Sequence, residues 1–247
     1  MDLRPGYRER ALPGVPGGAL ACAWIRVSPP GEWRETRVLP DACVDLVWRA
    51  GGGALLAGPD TRPALVAGGS GAVIVGVRFA PGAGGAALGL ALEAVRDARV
   101  PIADLWPALD RELPGDLEPR DALARLVLLG TGLSAARRPD AAMREAARRL
   151  ADPRARVDHL AGDLSLSERQ LRRRCRAAVG YGPKTLQRVL RFQRFLHAAE
   201  VPDAETDLAA LAAGTGYADQ AHLTRESTRL AGLPPAALLR ARAAGPS

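Results

Sequence analysis

The sequence predicts an α+β chain: a β-rich N-terminal sheet or barrel domain, then an all-α domain built on a tandem repeat. Three observations predict it. Residues 20–79 break into short runs of strand-forming residues separated by turn residues. From Gly84 onward the apolar spacing changes to the helical period. A shift of 52 residues then lays the last part of the chain on itself: Leu171 falls on Leu223, Arg173 on Arg225, Gly180 on Gly232 and Pro183 on Pro235.

The expected strands are Leu20–Val27, Arg34–Leu39, Val44–Arg49, Ala54–Ala57 and Val73–Phe79. Their punctuation is Pro29-Pro30-Gly31, Gly51-Gly52-Gly53, Gly58-Pro59-Asp60 and Gly68-Gly69-Ser70-Gly71, residues that set turns through fixed or positive φ. Several short strands so punctuated make a small antiparallel sheet or barrel. Helices are expected over Ala86–Val95 and Arg120–Leu129, with a linker at Gly130-Thr131-Gly132 and Arg137-Arg138-Pro139. Asp140 then caps Ala141–Leu150, which Asp152-Pro153 ends.

The 247 residues suffice for one large domain or two modest ones. No apolar run approaches the ~18 residues of a membrane span, and Met1-Asp2-Leu3-Arg4-Pro5-Gly6 carries no apolar segment of a secretory signal. No membrane partner is expected. Cys22, Cys43 and Cys175 are odd in number and far apart, which excludes zinc-type spacing and a disulfide framework and fits a reducing cytoplasm. The net charge is +7. Residues 1–140 hold 16 Arg against 16 Asp and Glu, so the whole excess lies beyond them. Between Arg169 and Arg194 stand nine basic residues and no acidic one. Such a block is a solvated face or a polyanion-binding surface.

The repeat unit reads as a helix-turn-helix. Val157, Leu160 and Ala161 form one short apolar face, and Gly162–Leu166 make the turn. Ser167 with Gln170 three residues on is a capping box that opens a helix over Glu168–Val179, and Gly180 supplies a left-handed C-cap. Leu171, Cys175 and Ala178 share one face of that helix, and Arg169, Arg172, Arg173 and Arg176 lie largely off it. In the second unit Asp207 caps Leu208–Ala213, Gly214–Ala218 is the turn, and Asp219 caps a helix carrying Gln220, His222, Thr224 and Arg225. Lys184–Ala199 is one helix between the units, about 24 Å long. That length suits two reading helices placed about one DNA turn, ~34 Å, apart.

These residues resemble the AraC/XylS family of transcription regulators over roughly residues 140–242. The resemblance rests on Ser-Glu-Arg-Gln-Leu-Arg-Arg (167–173), Gly-Tyr-Gly-Pro (180–183), Gly-Tyr-Ala-Asp-Gln-Ala-His-Leu-Thr-Arg-Glu (216–226) and Gly-Leu-Pro-Pro (232–235). It implies a tandem helix-turn-helix that binds double-stranded DNA, downstream of a domain that senses a signal or dimerises. The domain plan is then 1–115, β-rich and regulatory; 116–139, a helical linker; and 140–242, DNA-binding, with units at 155–180 and 207–232. Position in the motif makes Arg169, Arg172, Arg173, Gln220, His222 and Arg225 the base-reading candidates. Arg suits guanine and Gln suits adenine. Arg176, Lys184, Arg188 and Thr224 are the candidates for the DNA backbone. The family carries Phe where Cys175 and Ser227 stand; an uncompensated loss of this kind costs ~3–5 kcal/mol. RNA polymerase, a small-molecule effector and a second copy of the chain are further candidate partners. No cofactor or metal is expected. The segments Val38–Trp48, Ala57–Asp60 and Gly76–Gly82 are similar to a small β-rich domain found upstream of such regions.

Rival readings draw on the N-terminal half. Gly82–Ala87 follows an expected strand and matches G-x-G-x-x-A, with Asp104 about 20 residues on, which would suit a nucleotide-binding enzyme. No further βαβ unit follows it. Asp41, Cys43 and Asp45 alternate as on one face of a strand. With Arg78 they are candidates for sensing an effector, or an oxidant at Cys43, although flanking carboxylates dull a thiol. The three histidines all lie in the helical half, and no pair of Cys or His has ligand spacing. A module that binds protein or RNA through its basic helices is the third class.

Overall fold

The computed structural model describes residues 3–15, 18–31, 35–200 and 207–243. Among the described residues of the N-terminal half eight strands form: β1 (Gly6–Ala11), β2 (Leu20–Val27), β3 (Glu35–Val38), β4 (Val44–Arg49), β5 (Gly53–Ala57), β6 (Ala64–Ala67), β7 (Val73–Phe79) and β8 (Arg99–Pro101). Six pair antiparallel in the order β1-β2-β7-β4-β5-β8, and β3 and β6 form a separate ribbon. The expected strands at 20–27, 44–49 and 73–79 appear with those bounds. Arg34, expected to open β3, lies outside the described residues. β1 and β8 carry little apolar signal, and β6, though apolar, is half-exposed and only four residues long. β1 and β8 are the two edges, where polar residues and proline are tolerated because one side of the ladder is unpaired.

Alternation along the strands gives the sheet two faces. Leu46, Trp48, Leu56, Val75, Val77 and Phe79 face the main core, covered by a helix α4 (Pro119–Ala136) whose Ala122 and Leu126 are buried there. Cys22, Trp24, Val47 and Ile74 make a smaller cluster apart from it, with Tyr7 against it.

Two helical expectations change. The run 86–95 divides into α1 (Gly84–Leu88) and a 3-10 turn at Leu92–Val95, because Gly89 takes a left-handed conformation, φ 66°, and ends the helix. The Gly130-Thr131-Gly132 stretch is helical, not a break. Gly130 lies so close to the sheet that a Cβ would sit 3.1 Å from Leu20, so its glycine is a packing device. Two single turns, α2 (Ile102–Leu105) and α3 (Pro107–Asp110), lead into α4.

The C-terminal half is α5 (Ala141–Leu150), α6 (Val157–Asp163), α7 (Glu168–Val179), α8 (Pro183–Ala198), α9 (Leu208–Gly214), α10 (Gln220–Ala231) and α11 (Pro235–Ala243). Asp140 caps α5 as expected, accepting the Met143 N–H at 3.1 Å. One core joins both repeat units: Leu160, Leu171 and Cys175 from the first, Leu223 and Leu230 from the second, and Phe192 and Phe195 of α8 between them. The apolar face of α8 is thus a shared wall.

Candidate nucleic-acid interface

In the first unit α6, a turn and α7 follow one another. Ser165 in the turn has φ 54°, a left-handed residue that bends the chain between the helices. The capping box forms: Ser167 Oγ accepts the Gln170 N–H at 3.2 Å, and Gln170 Oε1 accepts the Ser167 N–H at 2.8 Å. Leu171, Cys175 and Ala178 are buried, which turns Arg169, Arg172, Arg173 and Arg176 to solvent. Arg172 meets Glu168 at 3.5 Å with both side chains exposed, a pairing of little energy. Arg169, Arg173 and Arg176 have no carboxylate partner among the described residues, so their charge projects outward. Arg174, to which no role was expected, turns back and binds Asp140 through Nε at 3.0 Å. It fixes α7 to the start of α5.

In the second unit Asp219 accepts the His222 N–H at 2.6 Å and opens α10. Gln220 and Arg225 are exposed, and Arg225 has no carboxylate partner among the described residues. His222 is half-buried. Its ring stands edge-on to Tyr217 at 5.2 Å, and its Nδ1 accepts the Ala218 N–H at 3.4 Å. Thr224 Oγ1 donates to the Gln220 carbonyl one turn back at 2.9 Å. Ser227 is fully buried, and its Oγ donates to the Leu233 carbonyl at 2.8 Å. The expected thinning of this core is thus offset by a hydrogen bond that holds the chain beyond α10.

Of the backbone candidates, Arg176 and Lys184 are exposed. Arg188 is placed differently. Its Nε and Nη2 both bind the Glu226 carboxylate, at 2.9 and 2.6 Å, and Arg191 approaches the same group at 3.5 Å. Burial works against the Glu226 charge, but the Arg188 hydrogen bonds and the charge of Arg191 outweigh it and hold the carboxyl below its ordinary value. Arg191 also lies over the Tyr217 ring at 4.9 Å. A buried carboxylate needs such partners, so Arg188 ties α8 to α10 instead of facing solvent. Sequence reasoning missed Glu226 and Arg191. The available signal was an acid set three residues after Leu223, close to the apolar seam of α10.

In the N-terminal half the alternation of Asp41, Cys43 and Asp45 does not place them on one strand, since β4 begins at Val44 and Ala42 has φ 67°. Asp41 and Asp45 nevertheless converge on Arg78, at 3.3 and 3.1 Å, and the Trp24 indole N–H donates to Asp45 at 2.9 Å. Burial raises Asp45 to about 6. Arg78 opposes that rise, and the like charge of Asp41 adds to it. Burial, then Asp41, pushes the Cys43 thiol well up, so it is not a ready thiolate. The glycine loop does not form a nucleotide cradle. β7 is antiparallel to both its neighbours. A Cβ on Gly82 would lie 2.6 Å from the Met143 carbonyl oxygen, and one on Gly85 2.4 Å from that of Ala177. The protein's own backbone fills the space a phosphate would need. Asp104 sits exposed on α2.

An arginine face largely without carboxylate partners on a capped helix, with a mixed polar face on a second capped helix of the same core, is the arrangement of a DNA-binding helix-turn-helix. Residues 160–241 match the family model of a helix-turn-helix domain, which the β-rich region precedes. Residues 18–101 match the model of a domain of unknown function (DUF6597). No curated protein matches the chain. Among solved structures it is similar to ToxT from Vibrio cholerae in its P21 crystal form, at 10% identity and a TM-score of 0.48, over 95% of this chain and 98% of that one. It is also similar to ToxT from strain O395 bound to (E)-4-(8-methylnaphthalen-1-yl)but-3-enoic acid, at 11% identity and a TM-score of 0.47, over the same shares. Among the described residues no helix is long and apolar enough to cross a membrane.

Proposed function

We propose that the chain reads two adjacent major-groove segments of duplex DNA, one with α7 and one with α10, under control of its N-terminal domain. The carrying observation is the exposed set Arg169, Arg173 and Arg176 without carboxylate partners, matched by Gln220 and Arg225 on the second helix. Arg169, Arg172, Arg173, Gln220, His222 and Arg225 then read bases, while Arg176, Lys184 and Thr224 set the register on phosphates. His222 reads with the edge that the turn leaves unengaged. Arg188 acts indirectly, through the position of α10. Control from the N-terminal domain is supported by direct contact, since Gly85 abuts the α7 backbone and Arg96 donates to the Gly180 carbonyl at 3.3 Å. Such a regulator would act in the cytoplasm on promoter DNA beside RNA polymerase, with a small-molecule effector or a second copy of the chain supplying the signal. It needs no cofactor and performs no reaction.

Binding measured against salt tests this reading, using duplexes selected from a random pool. Each phosphate neutralised contributes about 0.9 to the slope of log affinity on log salt. A steep slope, with selected duplex bound at least about a thousandfold better than random duplex, is expected. Equal affinity for both would overturn it.

A further inference from the structure

One segment of the N-terminal half belongs by packing to the C-terminal core. Residues 37–42 run from the end of β3 toward β4. Ala42 is 3% exposed and lies in the apolar cluster that holds Phe192 and Leu223, and Leu39 packs against that cluster. The Pro40 carbonyl accepts the Nε2 of Gln193, on α8, at 2.6 Å. At one end of the segment, Arg37 Nη1 donates to the carbonyl of Ala231, the last residue of α10, at 2.9 Å. A Cβ on the capping Gly232 would lie 3.2 Å from that same nitrogen. At the other end Asp41 is held by Arg78 of the sheet and accepts the Cys43 N–H at 2.9 Å. Immediately after the Asp41 anchor, Ala42 has φ 67°, a conformation that a Cβ disfavours. Such a residue persists only where its surroundings over-determine it.

The last carbonyls of a helix have no partner within it, and a cation there also meets the negative end of the helix dipole. Ala231 is six residues beyond Arg225, about 9 Å along the axis. A contact at that end therefore sets the angle at which Gln220 and Arg225 are presented. α7 is held at its own end by a different set of contacts: Arg96 donates to the Gly180 carbonyl at 3.3 Å, and a Cβ on Gly180 would lie 2.5 Å from Pro59.

We propose that residues 37–42 form a strap that aligns the second recognition helix, with Arg37 as its positioning residue and Asp41 as its anchor on the sheet. The strap deepens the two-helix reading above and rests on it. It gives that reading a route: a change at the Arg78 cluster reaches α10 through six residues of chain, without passing through α7.

The test uses the full chain, as wild type, Arg37→Ala and Arg37→Lys. Hydrogen exchange is followed in the free protein, and base preference is followed across a duplex selected by the wild type. Arg37→Ala should speed exchange in the last turn of α10 and leave α7 unchanged. It should lower discrimination in the segment read by α10 about fivefold, the worth of one hydrogen bond, and spare the other segment. Arg37→Lys, which keeps a donor and the charge, should restore both. Wild-type exchange and preference in Arg37→Ala would overturn the strap, as would equal losses in both segments. Faster exchange at α10 in a protein whose wild type prefers no sequence would overturn the two-helix reading, and the strap's role in it.

Discussion

The two helix-turn-helix units share one core yet are held by a different balance of packing and polar ties. α7 is fixed mainly by contact at van der Waals range, with Leu171 and Cys175 inward, the α1 backbone at Gly85 and Pro59 against Gly180, and its polar ties are Arg174 to Asp140 and Arg96 to the Gly180 carbonyl. α10 is fixed by polar ties: Glu226 to Arg188 and Arg191, Ser227 to the Leu233 carbonyl, and Ala231 to Arg37. Close packing is non-directional and tolerates little movement. Polar ties are directional and can be made or broken singly. The first unit therefore resembles a fixed foot and the second an adjustable one, although both present a basic or polar face to solvent.

The largest effect is expected at Glu226. Glu226→Ala leaves two confined guanidinium groups facing each other without their carboxylate, and should cost about 3 kcal/mol in denaturant unfolding. A loss below about 0.5 kcal/mol, the size of an exposed pair, would mean that α10 does not depend on this network. Next comes Gly85→Ala. The new Cβ would lie 2.4 Å from the Ala177 carbonyl oxygen, so backbone must move; about 2 kcal/mol should be lost, with α7 loosened in hydrogen exchange and α10 little changed. If α10 loosened as much as α7, the contrast between the units would fail. Ser227→Ala should be smaller, about 1 kcal/mol, from a buried carbonyl left without its donor. Unchanged thermal stability would show that Ser227 merely fills space.

The smallest effect is a pH dependence at the sheet end of the strap. The folded-state value of Asp45, about 6, lies above that of an ordinary carboxyl. Its contribution to stability is therefore fully present below about pH 4, the unfolded value, and is lost as pH rises through 6. Glu226, held below its ordinary value, has the opposite sign and loses its contribution as pH falls. The stability of wild type relative to Asp45→Asn should thus decline between pH 4 and 6. A difference that grows over that range would mean that Arg78 outweighs burial.

How much of this was legible in the sequence follows from the range of each interaction. The caps at Asp140, Ser167 and Asp219 and the break at Gly180 could be read because donor and acceptor lie within four residues. The strands at 20–27, 44–49 and 73–79 could be read because each buries an apolar run. The edge strands bury little and left no such trace. Gly130 looked like part of a break, because the reason for a glycine there, the approach of Leu20, is 110 residues away, whereas nothing lies within 4 Å of a Cβ at Gly132. The roles of Arg174, Arg188 and Arg37 were illegible for the same reason. An arginine facing solvent and one facing a distant carboxylate or carbonyl have the same local pattern. The base-reading candidates rest on motif position, and the structure adds the exposure of all but the half-buried His222.

The most direct measurement of the central claim is base preference along a selected duplex for the wild type, Arg173→Ala and Arg225→Ala. The account predicts two preferred segments about one helical turn apart. Each variant should lose about 1–3 kcal/mol of discrimination at one position, Arg173→Ala in one segment and Arg225→Ala in the other. Wild-type preference in both variants, or a single segment affected by both, would contradict it.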